Sequence, residues 1–419
     1  MKLTTSVRVT FALLGLSLLA LAVTGSPVYS RLSYLWLFLL AGNWAWAMVG
    51  VRGIKVQRTA RTLRAEVGQV FEEQFMIDNT TRLPRLWLEV RDESPLPDSQ
   101  GSRVITLLPG RQARSYRAMT RLTRRGVFPL GPTVIASGDP FGLFPVSRRL
   151  PTHSSLLVYP MIVHLPSFPS PAGLLPGGEA LRRRTHQITP NASGVREYAP
   201  GDPLNRIHWV STARRRRLMV KEFELDPMAQ VWIFVDAARA AQSEAAIADP
   251  AKEIDPKDFW RTPASASLRP STEEYAASIA ASLARHFLRR GRAVGFVSSG
   301  AAHDILPAET GGRQLGKILE ALALFRAEGD LSILALIMAQ AKHLPRGSTI
   351  VVITPSAEQE VEVAIDYVQQ RGLRPVVVLL DAASFGGAPG TAELAAAIKT
   401  IGVPVRRIAC GDKLEKALS

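Results

Sequence analysis

A single cysteine, Cys410, stands among 419 residues. One thiol forms no intrachain disulfide and builds no Cys-rich zinc site, and cysteine usage this sparse suits a reducing compartment. Packing is the role expected of Cys410. The seven histidines are scattered without metal-ligand spacing. A nucleophile elbow, a His-Glu-x-x-His helix and a phosphate loop are all missing. Aromatic residues make up 7% of the chain, and none is interleaved with the arginine runs as stacking platforms for nucleic acid would require. Acidic residues are the scarce charge: 36 Asp and Glu face 51 Lys and Arg, a formal net charge of +15. Nucleic acid, anionic lipid and an acidic protein partner all fit such an excess, so the location of the charge has to decide.

What the chain does have is apolar material, 47% of its residues, enough for two soluble domains and an anchor. No charge appears from Val9 to Ser30 or, past Arg31, from Leu32 to Val51. Each run has about the twenty residues that a bilayer-spanning helix needs. The break at Gly25-Ser26-Pro27, with Tyr29 and Arg31, predicts a tight hairpin turn. Lys2 and Arg8 precede the first run, and Arg52, Lys55, Arg58, Arg61 and Arg64 follow the second without an intervening acid. The positive-inside rule then places both ends and the soluble part in the cytoplasm, as a multi-pass protein of the inner membrane. A cleaved signal peptide over the first 22 or so residues is the competing reading, and it leaves the second run as a stop-transfer anchor facing the same way. Residues 1–55 are therefore read as the anchor.

Residues 56–160 are rich in short strand-like runs, such as Leu86 to Val90 and Arg103 to Leu108, punctuated by Asn79-Thr80-Thr81 and Pro109-Gly110. A β-sandwich-like domain is expected. Its stretch Gly138-Asp139-Pro140-Phe141-Gly142-Leu143-Phe144 reads as a rigid turn in which Asp139 is a turn former.

Residues 161–226 carry the most unusual text. Gly194-Val195-Arg196-Glu197-Tyr198-Ala199-Pro200-Gly201-Asp202 leads into Arg206-Ile207-His208-Trp209, and Lys221-Glu222-Phe223-Glu224 follows. From Glu179 to Glu222 ten basic and four acidic residues leave six of the net fifteen charges, with runs at Arg182-Arg183-Arg184 and Arg214 to Arg217. Charges of both signs beside Tyr198, His208 and Trp209 predict a half-buried hydrogen-bonded network. Its alternatives are a loop stapled by ion pairs, a site for a partner or small anion, and a hydrolase using Glu197, Asp202 and His208. The arginine runs leave a further alternative, nucleic acid or anionic lipid, and for a tethered chain the lipid or an acidic protein is nearer at hand.

Past Val231, buried strands are predicted at 231–236, 293–298, 349–354, 375–381 and 403–408, with helices near 272–290, 312–328, 331–342, 357–371 and 391–401. Ser271 with Glu274 spells a capping box. An open parallel sheet of Rossmann type with helices on both faces follows for residues 227–419. Residues 241–270, with four prolines and Trp260, form a long irregular loop over the edge where ligands dock, either as a lid or partner contact or as a disordered insert.

The signature run, with the two apolar spans, the Asp-Pro-Phe-Gly-Leu-Phe turn, Val158-Tyr159-Pro160 and Leu315 to Leu322, resembles the family called domain of unknown function 58 over essentially the whole chain. The resemblance implies a von Willebrand factor A-like C-terminal domain, whose first strand normally ends in Asp-x-Ser-x-Ser to hold a divalent cation. Here that strand ends Asp236-Ala237-Ala238-Arg239-Ala240, with alanine at both hydroxyl positions, and Thr354-Pro355-Ser356-Ala357-Glu358 offers no supporting Asp. A hard cation needs more oxygen donors than that, so a degenerate site and no cofactor are expected, with Arg239 supplying the missing positive charge. The resemblance further implies a non-enzymatic assembly or adaptor factor that works with a MoxR-type AAA ATPase, its interaction residues being Arg196, Glu197, Tyr198, Gly201, Asp202, Arg206, His208, Trp209, Lys221, Glu222 and Glu224. Nucleic acid is not expected as a partner.

Overall fold

A computed structural model describes residues 5–151, 154–169, 192–199, 202, 207–223, 230–245, 268–301 and 303–419. They fall into two compact units, one mainly of residues up to 161 and one mainly of residues from 162 onward.

The first unit opens with helices α1 (Thr5–Thr24) and α2 (Pro27–Gly50), each long and apolar enough to cross a membrane. Gly25 turns the chain at φ 64°. Ser26 then caps α2 by accepting the Val28 amide, with Pro27 at the first helical position. The turn is therefore shorter than the sequence reading: Tyr29 and Arg31 belong to α2, because the fixed φ of Pro27 starts the helix. The hydroxyls of Ser17 and Ser33 meet between the helices at 3.1 Å. Leu16, Val23 and Phe38 remain 63%, 78% and 72% exposed, and apolar outer faces of this kind fit association with a membrane.

Among the described residues ten strands follow: β1 (Ile54–Ala60), β2 (Arg64–Glu66), β3 (Val70–Asn79), β4 (Arg85–Asp92), β5 (Arg103–Leu108), β6 (Ala113–Arg121), β7 (Gly126–Pro129), β8 (Thr133–Ser137), β9 (Val146–Leu150) and β10 (Ser155–Tyr159). Sheets β1-β3-β6 and β5-β4-β8-β9 share one core that includes Ile54, Phe75, Ile77, Leu88, Val90 and Ile135, as in a sandwich. A third sheet, β2-β10-β7, has its own apolar cluster around Phe71, Leu156 and Val158. The period-2 alternation of β3 that buries Phe71, Phe75 and Ile77 also buries Glu73. Its carboxylate is met by Arg58, whose Nε and Nη2 donate to Glu73 at 2.5 and 2.9 Å while Nη1 and Nη2 donate to Asp92 at 2.8 and 3.1 Å. Asp139 forms its turn by accepting the amides of Phe141, Leu143 and Phe144. That turn packs Leu143 and Phe144 against Val7, Leu40 and Ala47 of the two helices.

The second unit contains β11 (Ala192–Glu197), α3 (Trp209–Arg215), β12 (Met219–Phe223), β13 (Gln230–Val235), α4 (Thr272–Arg289), β14 (Ala293–Ser299), β15 (His303–Glu309), α5 (Gly312–Leu324), α6 (Ile333–Gln340), β16 (Thr349–Thr354), α7 (Glu360–Gln370), β17 (Arg374–Leu380), α8 (Thr391–Thr400), β18 (Val405–Ile408) and α9 (Leu414–Leu418). Six strands make one sheet in the order β15-β14-β13-β16-β17-β18, parallel except for β15. The wholly parallel sheet expected from sequence thus gains an antiparallel edge. Phe234, Val352, Val377, Ile365 and Ile398 meet in its main core. Ser271 does precede α4, but its side chain makes no capping bond. Ser271 is instead bridged to Glu244, and the Thr272 hydroxyl ties this turn to Gln242 Oε1 at 2.8 Å. Of the loop expected at 241–270, residues 246–267 lie outside the described residues.

Candidate functional site

The chain passes from β13 to β14 on one side of the sheet and returns to β16 on the other. The strand order therefore reverses between β13 and β16, and the carboxyl ends of these neighbours flank the crevice where open α/β sheets receive ligands. Two side chains meet there. Thr354, the last residue of β16, donates its hydroxyl to Asp236 Oδ2 at 2.6 Å, and the Ala238 amide donates to Oδ1 at 3.0 Å. The Asp236 amide donates to Ile353 O at 2.9 Å, and Gln242 Nε2 reaches Asp236 O at 3.0 Å. Asp236 is 2% exposed. Burial pushes its carboxyl above the ordinary aspartate range, against the pull of the bonds from Thr354 and Ala238.

These donors do not suit a hard divalent cation. One carboxylate and one hydroxyl already satisfy each other, and Ala238 and Ala240 contribute no side-chain oxygen. Arg239 does not fill the gap either. It is exposed, because residues 239–241 turn outward as a short helix after Ala238.

A carboxyl with a raised folded-state pKa weakens the fold progressively as pH rises from its unfolded pKa through the folded one, because the folded state binds the proton more tightly. Asp236→Asn removes that burden. Its amide can donate to Thr354 while its oxygen still accepts the Ala238 amide. This variant should melt no lower than the parent at neutral pH, with any advantage shrinking under acid conditions. A loss of several degrees at neutral pH, measured by thermal unfolding, would contradict this account.

The signature segment forms a separate small module. Strands β11 and β12 pair antiparallel, and Ile207 bridges Val220. Arg196 grips Asp202 with both arms, Nη1 to Oδ2 at 2.7 Å and Nη2 to Oδ1 at 2.6 Å. Asp202 also accepts the Ala199 amide at 2.9 Å, so this pair closes the turn as a fork-to-fork contact. Glu197 is exposed and meets Arg217 at 3.5 Å. The Tyr198 amide donates to Leu218 O. His208 caps α3: its Nδ1 accepts the Ser211 amide at 3.2 Å and lies 2.7 Å from Ser211 Oγ. Glu197, Asp202 and His208 thus each serve a different neighbour. Trp209 projects outward, 67% exposed, which departs from the half-buried network expected around it. Arg214 to Arg217 are all exposed. Lys221 and Glu222 lie on β12 opposite Val195 and Gly194, while Gly201, Arg206, Glu224 and Arg182-Arg183-Arg184 lie outside the described residues. Ser211 and Thr354 are the polar partners that sequence reading missed. A hydroxyl three residues into a helix and one closing a buried strand were the available signals.

Residues 194–249 match the family model described as protein of unknown function DUF58. Over that stretch the chain is similar to the DUF58 family. The matched stretch runs from β11 past Asp236, so it contains both the signature module and the switch-point carboxylate. A curated relative, the uncharacterized protein YeaD of Bacillus subtilis (strain 168), is 24% identical over 191 residues. That alignment covers 45% of this chain, which spans 40% of the relative's length. Among solved structures, a CARDB domain from Pyrococcus furiosus in complex with di-metal ions is 12% identical, with 25% of this chain and 91% of that one covered at a TM-score of 0.19. The alkylpurine DNA glycosylase AlkC of Pseudomonas fluorescens, bound to DNA, is 15% identical, with 31% and 38% covered at a TM-score of 0.18. Likenesses this weak carry no argument about fold or activity.

Proposed function

We propose that this protein is a membrane-tethered binding platform, not an enzyme, whose von Willebrand factor A-like domain faces the cytoplasm and helps a MoxR-type AAA ATPase assemble or activate other proteins. The observation that carries the reading is the state of the two polar clusters. Asp236 is closed onto Thr354 and Arg196 onto Asp202, so these carboxylates are spent on shaping surfaces and not on proton transfer. Helices α1 and α2 supply the tether. The ATPase partner rests on the resemblance to the family.

Two measurements test this, membrane fractionation of a truncated chain and affinity purification of the intact chain in mild detergent. Removing residues 1–51 should move the protein from the membrane fraction to the supernatant, and affinity purification of the intact chain should recover an AAA ATPase whose retention depends on nucleotide. A truncated chain that still sediments with membranes, or a purification without an ATPase, overturns the corresponding half.

One contact favours the hydrolase alternative: His208 lies within hydrogen-bond reach of the Ser211 hydroxyl, as a base lies beside a nucleophile. The Ser211 amide occupies the same ring nitrogen, which is the pattern of a helix cap, and Asp202 is held by Arg196. Ser211→Ala should therefore leave cellular function intact, and its loss in a folded variant would favour the enzyme.

A further inference from the structure

Strand β8 ends where α2 ends. A carbon added at Gly50, the last residue of α2, would meet the Ser137 side chain at 3.6 Å, and Arg85 at the start of β4 donates its Nη2 to Arg52 O at 2.9 Å. This end of the sandwich therefore abuts the boundary between the uncharged run and the basic residues after it. The turn from β8 to β9 then meets the helices themselves, where Leu143 and Phe144 join a cluster with Val7, Leu40 and Ala47. Ala47 follows Trp44 and Trp46, which are 47% and 41% exposed. Aromatic rings at the end of a spanning helix mark the level of the lipid headgroups.

The backbone of the turn suits that level. Lipid solvates no amide, so a segment entering it has to satisfy its donors internally. Pro140 has no amide proton, and the next four amides all end on Asp139: Phe141 and Leu143 donate to Oδ2 at 3.0 and 3.1 Å, Phe144 to Oδ1 at 2.5 Å, and Gly142 to the main-chain oxygen at 3.1 Å. Asp139 is itself 1% exposed, so the turn encloses its carboxylate. Phe141 stands outside, 68% exposed. Fastening the sandwich to the helices uses Leu143 and Phe144, and it leaves the Phe141 ring without a packing role.

We propose that this turn is a further membrane contact of the chain, in which Phe141 enters the boundary between headgroups and acyl chains beside α1 and α2. The occupant of the exposed apolar surface is then the bilayer, because that surface continues the apolar outer faces of the two helices. The contact seats the sandwich on the membrane by its β8–β9 end and limits its swing about the tether. It rests on the reading of α1 and α2 as membrane-spanning and is independent of the ATPase partnership.

The test uses the full chain in phosphatidylcholine vesicles, with an environment-sensitive fluorophore on one introduced cysteine and Cys410→Ser removing the native thiol. Phe141→Cys is compared with Leu16→Cys, 63% exposed on α1, and with Gln100→Cys, in the exposed loop between β4 and β5 at the other end of β4 from Arg85. The label at 141 should emit to the blue of the label at 100. Lipid carrying a nitroxide near the headgroup end of its acyl chains should quench it, and a water-soluble nitroxide should not, with the reverse at 100. Quenching by lipid at 16 reports the tether. A label at 141 that behaves like that at 100, while 16 is quenched by lipid, overturns the contact and leaves the tether standing. Lipid quenching at neither 16 nor 141 overturns both, and quenching at 141 without 16 keeps the contact and removes the tether. Equal lipid quenching at 100 and 141 also overturns the contact, because the sandwich then adheres to lipid without using the turn.

Discussion

Arg58→Met is expected to destabilise the N-terminal sandwich by about 3–5 kcal/mol, because removing one partner of a buried ion network strands the others. The carboxylates of Glu73 and Asp92 are both 0% exposed, and Arg58 is 11% exposed and engages both. Methionine retains the contact over the Phe75 ring, where the guanidinium now sits 5.0 Å from the centroid, so the loss isolates charge from packing. Burial already pushes the Glu73 carboxyl up, with Arg58 holding it down. Without Arg58 the carboxyl rises further, so the deficit should shrink in acid, where Glu73 is protonated, and grow as pH rises through its raised pKa. Denaturant unfolding at two pH values reads both effects. The triple variant Arg58→Met, Glu73→Gln, Asp92→Asn should recover much of the loss. A single variant as stable as the parent at neutral pH would remove the triad from any structural account.

Gly329→Ala should cost about 3 kcal/mol, the upper end of ordinary overpacking. A Cβ at this position would lie 2.1 Å from Ser299 O and 3.2 Å from Ala237 O. Both are backbone atoms, which cannot swing aside as a side chain would. Gly329 also donates to Ala237 O at 2.9 Å and accepts the Arg239 amide at 2.8 Å. The substitution therefore wedges apart the end of β14 and the loop that follows Asp236. Gly316→Ala is the matched control. It lies within α5 with nothing within 4 Å of the added carbon, and it should stabilise by up to about 1 kcal/mol. Thermal unfolding of the pair compares them directly, and a Gly329→Ala melting point equal to that of the parent would show that the edge relaxes freely.

The sheet was readable where burial on both faces makes the strand itself apolar. Thr349–Thr354 is such a run, and its predicted and observed limits coincide. The edge strand β15 was not. His303–Glu309 alternates exposed and half-buried positions around Pro307, and a proline in a polar alternation reads as loop. Helix ends drifted for a similar reason: α5 stops at Leu324, although the sequence predicts a helix on to 328. Arg58 was legible only as one of five basic residues after the second apolar run. Its partners lie 15 and 34 residues away; the pairing of β1 with β3 brings Glu73 to it, and the facing sheet brings Asp92. Arg196 and Asp202 were read as neighbours of opposite charge, but their two-armed contact needs the turn through Ala199, whose amide Asp202 also accepts.

Strand β15 also bears on how this protein keeps from sticking to itself. The free edge of a sheet is a template for intermolecular strand addition and, in the extreme, for fibrils. On this edge Pro307 offers no amide hydrogen, and the pairing register with β14 slips between Val294 and Phe296, where β15 bulges. Pro307 sits inside that bulge, so an incoming strand would find its ladder interrupted there. Lateral growth on that side is thus hindered at Pro307, on an edge where Ile305 is 49% exposed.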